Sequence, residues 1–320
     1  MISRLAPSPT GALHIGNART FLINWALARQ NNWKLLMRIE DLDGPRNKPD
    51  AARLALDILA WLGIDFDGEV LTQSADLAPY RSAMHKLAEQ GLVYPCELTR
   101  SEIEAAASAP HEKSASSPSR FASSELRFPP SLRPSDPQRY TFDDQYANYR
   151  LLVEDEVMTV QDAFAGCSEH NVAREIGDFV IWTRGGQPAY QLAVVVDDAR
   201  QGVTHVVRGD DLLPSAARQR LLYRALNLPE PQWCHVPLVI GPDGRRLAKR
   251  HGDSRIDTYR AAGVSPKRII ALLARLCGIA FDGPEMSAED FRERFDLNTL
   301  DRNPVVFTQE HHRWLLGSYE

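Results

Sequence analysis

Ala6-Pro7-Ser8-Pro9-Thr10-Gly11-Ala12-Leu13-His14-Ile15-Gly16-Asn17 is the stretch on which the fold turns. Its two prolines fix the backbone and remove donors, so residues 7–11 cannot be regular structure. Before it, residues 3–6 fit a short buried strand. After it a helix fits from about Ile15, because Ala18, Phe21, Leu22 and Trp25 stand at i, i+3, i+4 and i+7. Residues 33–39 are a second strand candidate, ending in Glu40-Asp41. Strand, helix and strand at this spacing predict a βαβ unit and a parallel sheet. The motif then lies at the carboxyl end of the first strand, where open α/β sheets bind ligands. Gly11 and Gly16 allow close backbone approach, and the helix start offers free N–H groups and a positive dipole end to a phosphate. His14 can donate a hydrogen bond to charge developing on that phosphate.

Further along, residues 51–61 and 80–90 read as amphipathic helices. Residues 105–138 are rich in Ser, Ala and Pro without helical or strand period, which predicts a mobile, partly disordered insertion. Regular structure returns near Tyr149. The near-continuous apolar run 191–196 reads as a central parallel strand buried on both faces. Residues 203–207 read as another strand, 215–226 as a helix, and 236–240 as a last strand before the turn Gly241-Pro242-Asp243-Gly244. From Pro266 onward the pattern is helical, with Ile269, Ile270, Leu272, Leu273 and Leu276 on one face.

A length of 320 residues suggests about two domains. With no run of about 18 apolar residues, no membrane span is expected, and the first residues do not read as a signal peptide. Four scattered cysteines, Cys96, Cys167, Cys234 and Cys277, read as reduced thiols of a cytoplasmic protein. The formal net charge of -5 argues against a broadly basic surface, so any contact with nucleic acid must rest on local patches. One candidate is Arg245, Arg246, Lys249 and Arg250; another is Arg218, Arg220 and Arg224 on one predicted helix. By charge alone either is equally a solvated face.

The basic loop belongs to a second motif, Arg245-Arg246-Leu247-Ala248-Lys249-Arg250-His251-Gly252, which follows a strand and a tight turn. Lys249 there can neutralise charge on ATP phosphates in a transition state. The two motifs, read as standing at opposite ends of one sheet, are more specific together than either alone.

His14-Ile15-Gly16-Asn17 resembles the first signature of class I aminoacyl-tRNA synthetases, and Arg246-Leu247-Ala248-Lys249-Arg250 resembles the second. Residues 6–19, Arg38-Ile39-Glu40-Asp41-Leu42-Asp43, Tyr190-Gln191-Leu192-Ala193-Val194-Val195-Val196-Asp197-Asp198 and Val207-Arg208-Gly209-Asp210-Asp211-Leu212-Leu213 look like the glutamyl-tRNA synthetase group. The likeness spans residues 3–252 apart from the insertion. Within the group the chain is most similar to the short glutamyl-Q tRNA(Asp) synthetases. It has Tyr190-Gln191-Leu192-Ala193 where discriminating glutamyl-tRNA synthetases usually have Asn-Phe after the Tyr, and its length leaves no room for a large anticodon-binding domain.

The resemblance implies an α/β, Rossmann-like class I catalytic domain over 1–240, with 96–145 inserted, then a signature loop and helical region over 241–320. It implies ATP-dependent activation of L-glutamate and transfer to queuosine in the anticodon loop of tRNA(Asp), by a monomer. A site selective for glutamate needs guanidiniums for carboxylate and a carboxylate for ammonium. Arg4 and Arg208 are the candidate cations and Glu40 the candidate anion, with Ser8 and Tyr190 as hydrogen-bonding partners. His14, Gly16, Asn17 and Lys249 are the expected ATP-binding residues, with Mg²⁺ carried on the ATP phosphates, and His14 and Lys249 the expected catalytic ones. Many members hold zinc through a Cys-x-Cys before Thr-Arg. Here the stretch is Cys96-Glu97-Leu98-Thr99-Arg100, and Leu98 cannot be a ligand, so zinc is predicted absent. Two alternatives stand beside this reading: a truncated glutamyl-tRNA synthetase charging a tRNA 3′ end, and a catalytically inactive RNA-binding derivative. Intact His14, Gly16 and Lys249 speak against the second.

Overall fold

In the computed structural model, which describes residues 1–107, 126–144, 147–245, 247 and 254–317, the opening βαβ unit forms as its spacing predicts. Strand β1 (Ile2–Leu5), helix α1 (Ile15–Gln30) and strand β2 (Lys34–Ile39) follow in order, and β1 pairs in parallel with β2, Ile2 opposite Lys34. Ala18, Leu22 and Trp25 of α1 are buried against the sheet, the face their spacing marks. Helix α2 (Ala51–Trp61) leads into β3 (Val70–Thr72), which extends the parallel sheet with Met37 opposite Val70. Helix α3 (Ala78–Glu89), strand β4 (Val93–Cys96) and helix α4 (Arg100–Ala107) come next.

Chain order then runs β5 (Asn148–Leu151), β6 (Met158–Asp162), β7 (Gly166–His170), α5 (Val172–Glu175), β8 (Val180–Thr183) and β9 (Gln187–Pro188). Strands β4, β5, β8 and β9 make an antiparallel sheet. Helix α6 (Tyr190–Arg200), strand β10 (His205–Gly209), helix α7 (Leu213–Leu226) and strand β11 (Gln232–Val236) come next. Strand β10 pairs in parallel with β11, Arg208 opposite His235. The Thr204 N–H donates to the Ile2 carbonyl at 2.9 Å, which ties the start of β10 to β1. Strand β12 (Val239–Ile240) pairs in parallel with the distant β13 (Val305–Val306). Between them lie α8 (Ile256–Ala261), α9 (Pro266–Leu276) and α10 (Ala288–Arg294), and α11 (Gln309–Leu316) follows. Ile269, Ile270, Leu272, Leu273 and Leu276 of α9 are all buried, in one core with α1.

Four expectations are corrected. The run 191–196 is not a strand but the heart of helix α6, buried from Gln191 to Asp198 on every side. When all faces are covered, hydrophobic periodicity carries no information, and an apolar run reads equally as buried strand or buried helix. The expected strand 236–240 is broken at Pro237, which has no N–H for the ladder and separates β11 from β12.

Of the expected mobile insertion, residues 108–125 lie outside the described residues, but 126–144 is fastened to the body. Phe128 is buried, its N–H donates to the Ile176 carbonyl at 2.7 Å, and the Arg150 guanidinium lies 4.0 Å over its ring. Arg133 donates Nε and Nη2 to the buried Asp178 carboxylate, both at 2.7 Å, and the Tyr94 hydroxyl donates to the same carboxylate at 2.6 Å. Ser and Pro content tracks absence of period, not absence of contacts. Finally, Arg218, Arg220 and Arg224 do not share one open face: Arg218 is buried beside Ser215, while Arg220 and Arg224 reach solvent and pair with Glu230 at 3.2 Å and with Glu156.

Candidate active site

A cleft of about 600 Å³ opens at the carboxyl ends of β1 and β10. Arg4, Ser8, His14, Gly16, Asn17, Glu40, Tyr190 and Arg208 all line it, so eight residues drawn from four separate stretches of sequence share one surface. Lys249 lies outside the described residues, as do Arg246, Ala248 and Arg250. Leu247, two residues ahead of Lys249, is buried and lines the cleft. Where the second motif reaches the described residues, at Leu247, it lines the same cleft as the first motif and does not stand at an opposite end of the sheet. Ile15 N–H donates to the Ser254 carbonyl and Ile256 N–H to the Leu13 carbonyl, each at 2.9 Å, so the chain leaving the basic loop is stitched directly to the first motif.

His14 caps α1. Its Nδ1 accepts from the N–H of Gly16 at 3.1 Å and of Asn17 at 3.4 Å, and the Asn17 Oδ1 accepts in return from the His14 N–H. With Ile15 bonded to Ser254 and Ala18 to the His14 carbonyl, the first turn keeps no spare amide for a phosphate, contrary to the sequence expectation. Accepting at Nδ1 puts the ring proton of a neutral imidazole on Nε2. A Cβ at Gly16 would stand 3.0 Å from His14 Cε1 and 3.1 Å from Nδ1, so any side chain there would crowd the capping ring. A Cβ at Gly11 would meet nothing within 4 Å, so no contact of the chain itself demands glycine there.

Below the motif sits a buried charge network that sequence reading saw only in part. Asp198, fully buried, accepts from Arg38 Nη1 at 2.7 Å and from Arg4 Nε at 3.2 Å. Arg38 also donates to Glu40 at 3.0 Å, and Arg200 Nε lies 2.9 Å from Asp197. Arg4, Arg38 and Arg200 thus balance Glu40, Asp197 and Asp198. Burial works against the Arg38 charge, yet Asp198, Glu40 and Asp197 outweigh it and hold its pKa above the ordinary value. Burial pushes the Glu40 carboxyl up, and Arg38 and Arg4 do not fully offset it. Asp198 is also desolvated, but Arg38 and Arg4 hold it below the usual carboxylate range.

Arg208 stands apart from that balance. It is 5% exposed, forms no ion pair among the described residues, and its Nη1 has no hydrogen-bond partner there. Desolvation lowers its pKa, and the nearby Arg4 charge adds to the effect. Of the two candidate cations, then, Arg4 is already engaged by Asp198 and Arg208 is not. Ser8 and Tyr190 are exposed polar members of the lining, as is Thr10, with Tyr190 the first residue of α6. Sequence reading missed Arg38, Asp162, Asp198 and His235. The available signal was a charged or imidazole residue set inside an apolar run, as in Leu35-Leu36-Met37-Arg38 and Trp233-Cys234-His235-Val236, since such groups are rarely buried without a partner.

Around the expected metal position, Cys96 packs in an apolar cluster with Tyr94, Ile103 and Phe128, and Leu98 lies against it.

Residues 1–314 match the family model of the catalytic domain of class I tRNA synthetases (E and Q). A glutamyl-Q tRNA(Asp) synthetase from Rhodopirellula baltica is 43% identical over 95% of the chain and 96% of its own length. One from Symbiobacterium thermophilum is 40% identical, with 97% of each chain covered. A glutamate–tRNA ligase from Aquifex aeolicus is 37% identical over 99% of the chain, which spans 66% of that enzyme. In structure the chain superimposes on a glutamate tRNA ligase from Elizabethkingia meningosepticum, in complex with its amino acid, with a TM-score of 0.78 at 26% identity, covering 98% of the chain and 68% of that structure.

Proposed function

The chain belongs to the class I tRNA synthetases of the glutamate and glutamine group, and from that premise we propose that it activates L-glutamate with ATP and transfers it to queuosine in tRNA(Asp). The observation that carries the proposal is Arg208, a buried guanidinium with no ion-pair partner among the described residues, lining the cleft beside a balanced network that contains Glu40. Such a site suits a ligand bearing a carboxylate and an ammonium.

In this reading Glu40 takes the α-ammonium, Arg208 and Arg4 face carboxylate oxygens, and Ser8 and Tyr190 add hydrogen bonds. The substrate's α-carboxylate attacks the α-phosphorus of ATP, an acyl–phosphate bond forms, and the bond to the β-phosphate breaks to release pyrophosphate. No protein nucleophile is needed; catalysis is positioning and charge stabilisation. His14, through Nε2–H, and Lys249 face the developing phosphate charge, with Gly16 and Asn17 forming the ATP side. Mg²⁺ arrives on the ATP phosphates.

The domain reading follows: a catalytic unit over 1–240 and a stem-contact-like region over 241–320. The acceptor is supported by the two glutamyl-Q tRNA(Asp) synthetases, each matched over nearly its whole length. The test supplies labelled glutamate and ATP with tRNA(Asp) bearing queuosine, tRNA(Asp) bearing guanosine, and tRNA(Glu). Label on the queuosine form alone is expected. Label at the 3′ end of tRNA(Glu), with none on the queuosine form, selects the glutamate–tRNA ligase activity instead.

A further inference from the structure

Arg208 is held from behind. On the adjacent parallel strand His235 stands directly opposite it, and Arg208 Nε donates to His235 Nε2 at 2.9 Å. His235 is fully buried, and its Nδ1 lies 2.6 Å from Asp162 Oδ2. The Asp162 carboxylate also accepts the N–H groups of Phe164, Ala165 and His235, so it is immobile and without a proton to offer. A guanidinium N–H can only donate. His235 Nε2 must therefore accept, and its one proton must sit on Nδ1, pointing to Asp162. The Trp233 ring completes the seat, with the Arg208 guanidinium 4.9 Å from its centroid.

We propose that His235 is a positioning residue for this reaction: Asp162 fixes its tautomer, the tautomer gives Arg208 an acceptor, and the acceptor holds the uncompensated guanidinium where the substrate carboxylate binds. The proposal rests on the reading of the cleft as a glutamate site. Burial, which outweighs Asp162, pushes the His235 pKa down to about 4, so the imidazole stays neutral at working pH and can keep accepting. The groups facing it are Asp162, Arg208 and, at longer range, Arg4. A carboxylate in place of His235 would pair with Arg208 and compete with the substrate. A neutral acceptor aims the guanidinium without consuming its charge.

Two amides separate the atoms of the imidazole. Glutamine places its amide oxygen where Nε2 stands and keeps the acceptor; asparagine reaches only the Nδ1 position and loses it. In Asp162→Asn the side-chain NH₂ is directed at Nδ1, which moves the imidazole proton to Nε2 and sets two donors face to face. The experiment measures ATP–pyrophosphate exchange and calorimetric binding of L-glutamate for wild type, His235→Gln, His235→Asn and Asp162→Asn, with a thermal melt of each. His235→Gln should keep the KM for glutamate within about threefold, while His235→Asn and Asp162→Asn raise it about tenfold or more, as for a lost hydrogen bond to a buried charge. The KM for ATP and kcat should stay near wild type. A wild-type glutamate KM in either His235→Asn or Asp162→Asn, or equal losses in His235→Gln and His235→Asn, overturns the proposal. A wild-type protein that neither binds nor activates glutamate overturns the reading beneath it as well.

Discussion

Arg38 and Glu40, two residues apart and on the same side of the chain leaving β2, form a buried ion pair in which Arg38 Nη2 donates to Glu40 Oε1 at 3.0 Å. The pair orients Glu40 at the cleft wall while leaving its carboxyl pushed upward by burial. Binding an ammonium requires the ionised form. Glutamate affinity should therefore be full above the raised Glu40 pKa and fall as pH drops through it, at a pH above that at which the substrate's own carboxylates protonate. Calorimetry of L-glutamate binding between pH 7.5 and 5, both about the working range of such proteins, reads the effect. Glu40→Gln should bind more weakly by a few kcal/mol, about what an unpartnered ligand charge costs, and show no such limb.

How much of this was legible beforehand follows from the kind of signal each part leaves. The βαβ opening was readable because the first two turns of α1 are buried on one face only: Ile15, Ala18, Arg19 and Leu22 are buried while Gly16, Asn17, Thr20 and Phe21 are partly exposed, although the rest of the helix, from Leu22 to Ala28, is buried throughout. Helix α6 was not, because nothing on it faces water between Gln191 and Asp198. The eight cleft residues were named through motif resemblance, which marks residues at loops and strand ends. Arg38 and His235 sit within strands, and their partners Asp198 and Asp162 lie 160 and 73 residues away in sequence. Pairing over such distances leaves no local pattern. The His14 cap escaped notice for a different reason: Nδ1 reaching Gly16 and Asn17 depends on ring orientation, which sequence does not carry.

Asp198 is the keystone of the charge network, and Asp198→Asn should show it. Its carboxylate is the shared counter-charge of Arg4 and Arg38, and all three are buried. Removing that charge strands Arg4, which has no other ion pair among the described residues, and takes one of three carboxylates from Arg38, which keeps Glu40 and Asp197; the loss is about 3–5 kcal/mol for a broken buried pair. Urea unfolding followed by circular dichroism measures it. A midpoint unchanged from wild type would mean that Arg4 and Arg38 are neutralised some other way.

Acid sensitivity should carry a signature of His235. Its folded pKa, about 4, is below the ordinary histidine value of 6.5, because burial penalises the charged ring. As pH falls, the unfolded chain takes up the proton first. The stabilisation is therefore complete above about pH 6.5 and is lost progressively toward pH 4, roughly 3 kcal/mol in all from this residue. His205 and His311 are lowered in the same direction by burial and add to the slope. Burial pushes the Asp162 carboxyl up, but His235 and the amides of Ala165 and Phe164 outweigh it and hold it below the usual carboxylate range, so it acts only lower, as pH falls below the ordinary Asp value. Melting curves from pH 7.5 to 4.5, about one unit beyond the titration window at its upper end, should flatten in His235→Gln relative to wild type. Parallel curves would show that the ring is not buried as a neutral group.

Lys249 carries the last prediction. The chain just ahead of it reaches the cleft at Leu247, and the chain just beyond it is tied to the His14 motif by the Ser254 carbonyl and the Ile256 amide. We propose that residues 248–253, whose flanks reach the cleft and the His14 motif, bring Lys249 to a bound triphosphate. On the proposed reading an ammonium in that loop interacts little with the amino acid before reaction, because Arg208 is the proposed carboxylate seat. Its effect grows as charge builds on the phosphate oxygens and the leaving pyrophosphate. Lys249→Ala should therefore slow glutamyl-adenylate formation about 10²-fold or more, in the range of a lost oxyanion contact, while calorimetric binding of L-glutamate stays near wild type. Single-turnover measurement of pyrophosphate release separates the two. Near-normal release would remove Lys249 from the chemistry, and a matching loss of glutamate affinity would reassign it to ground-state binding.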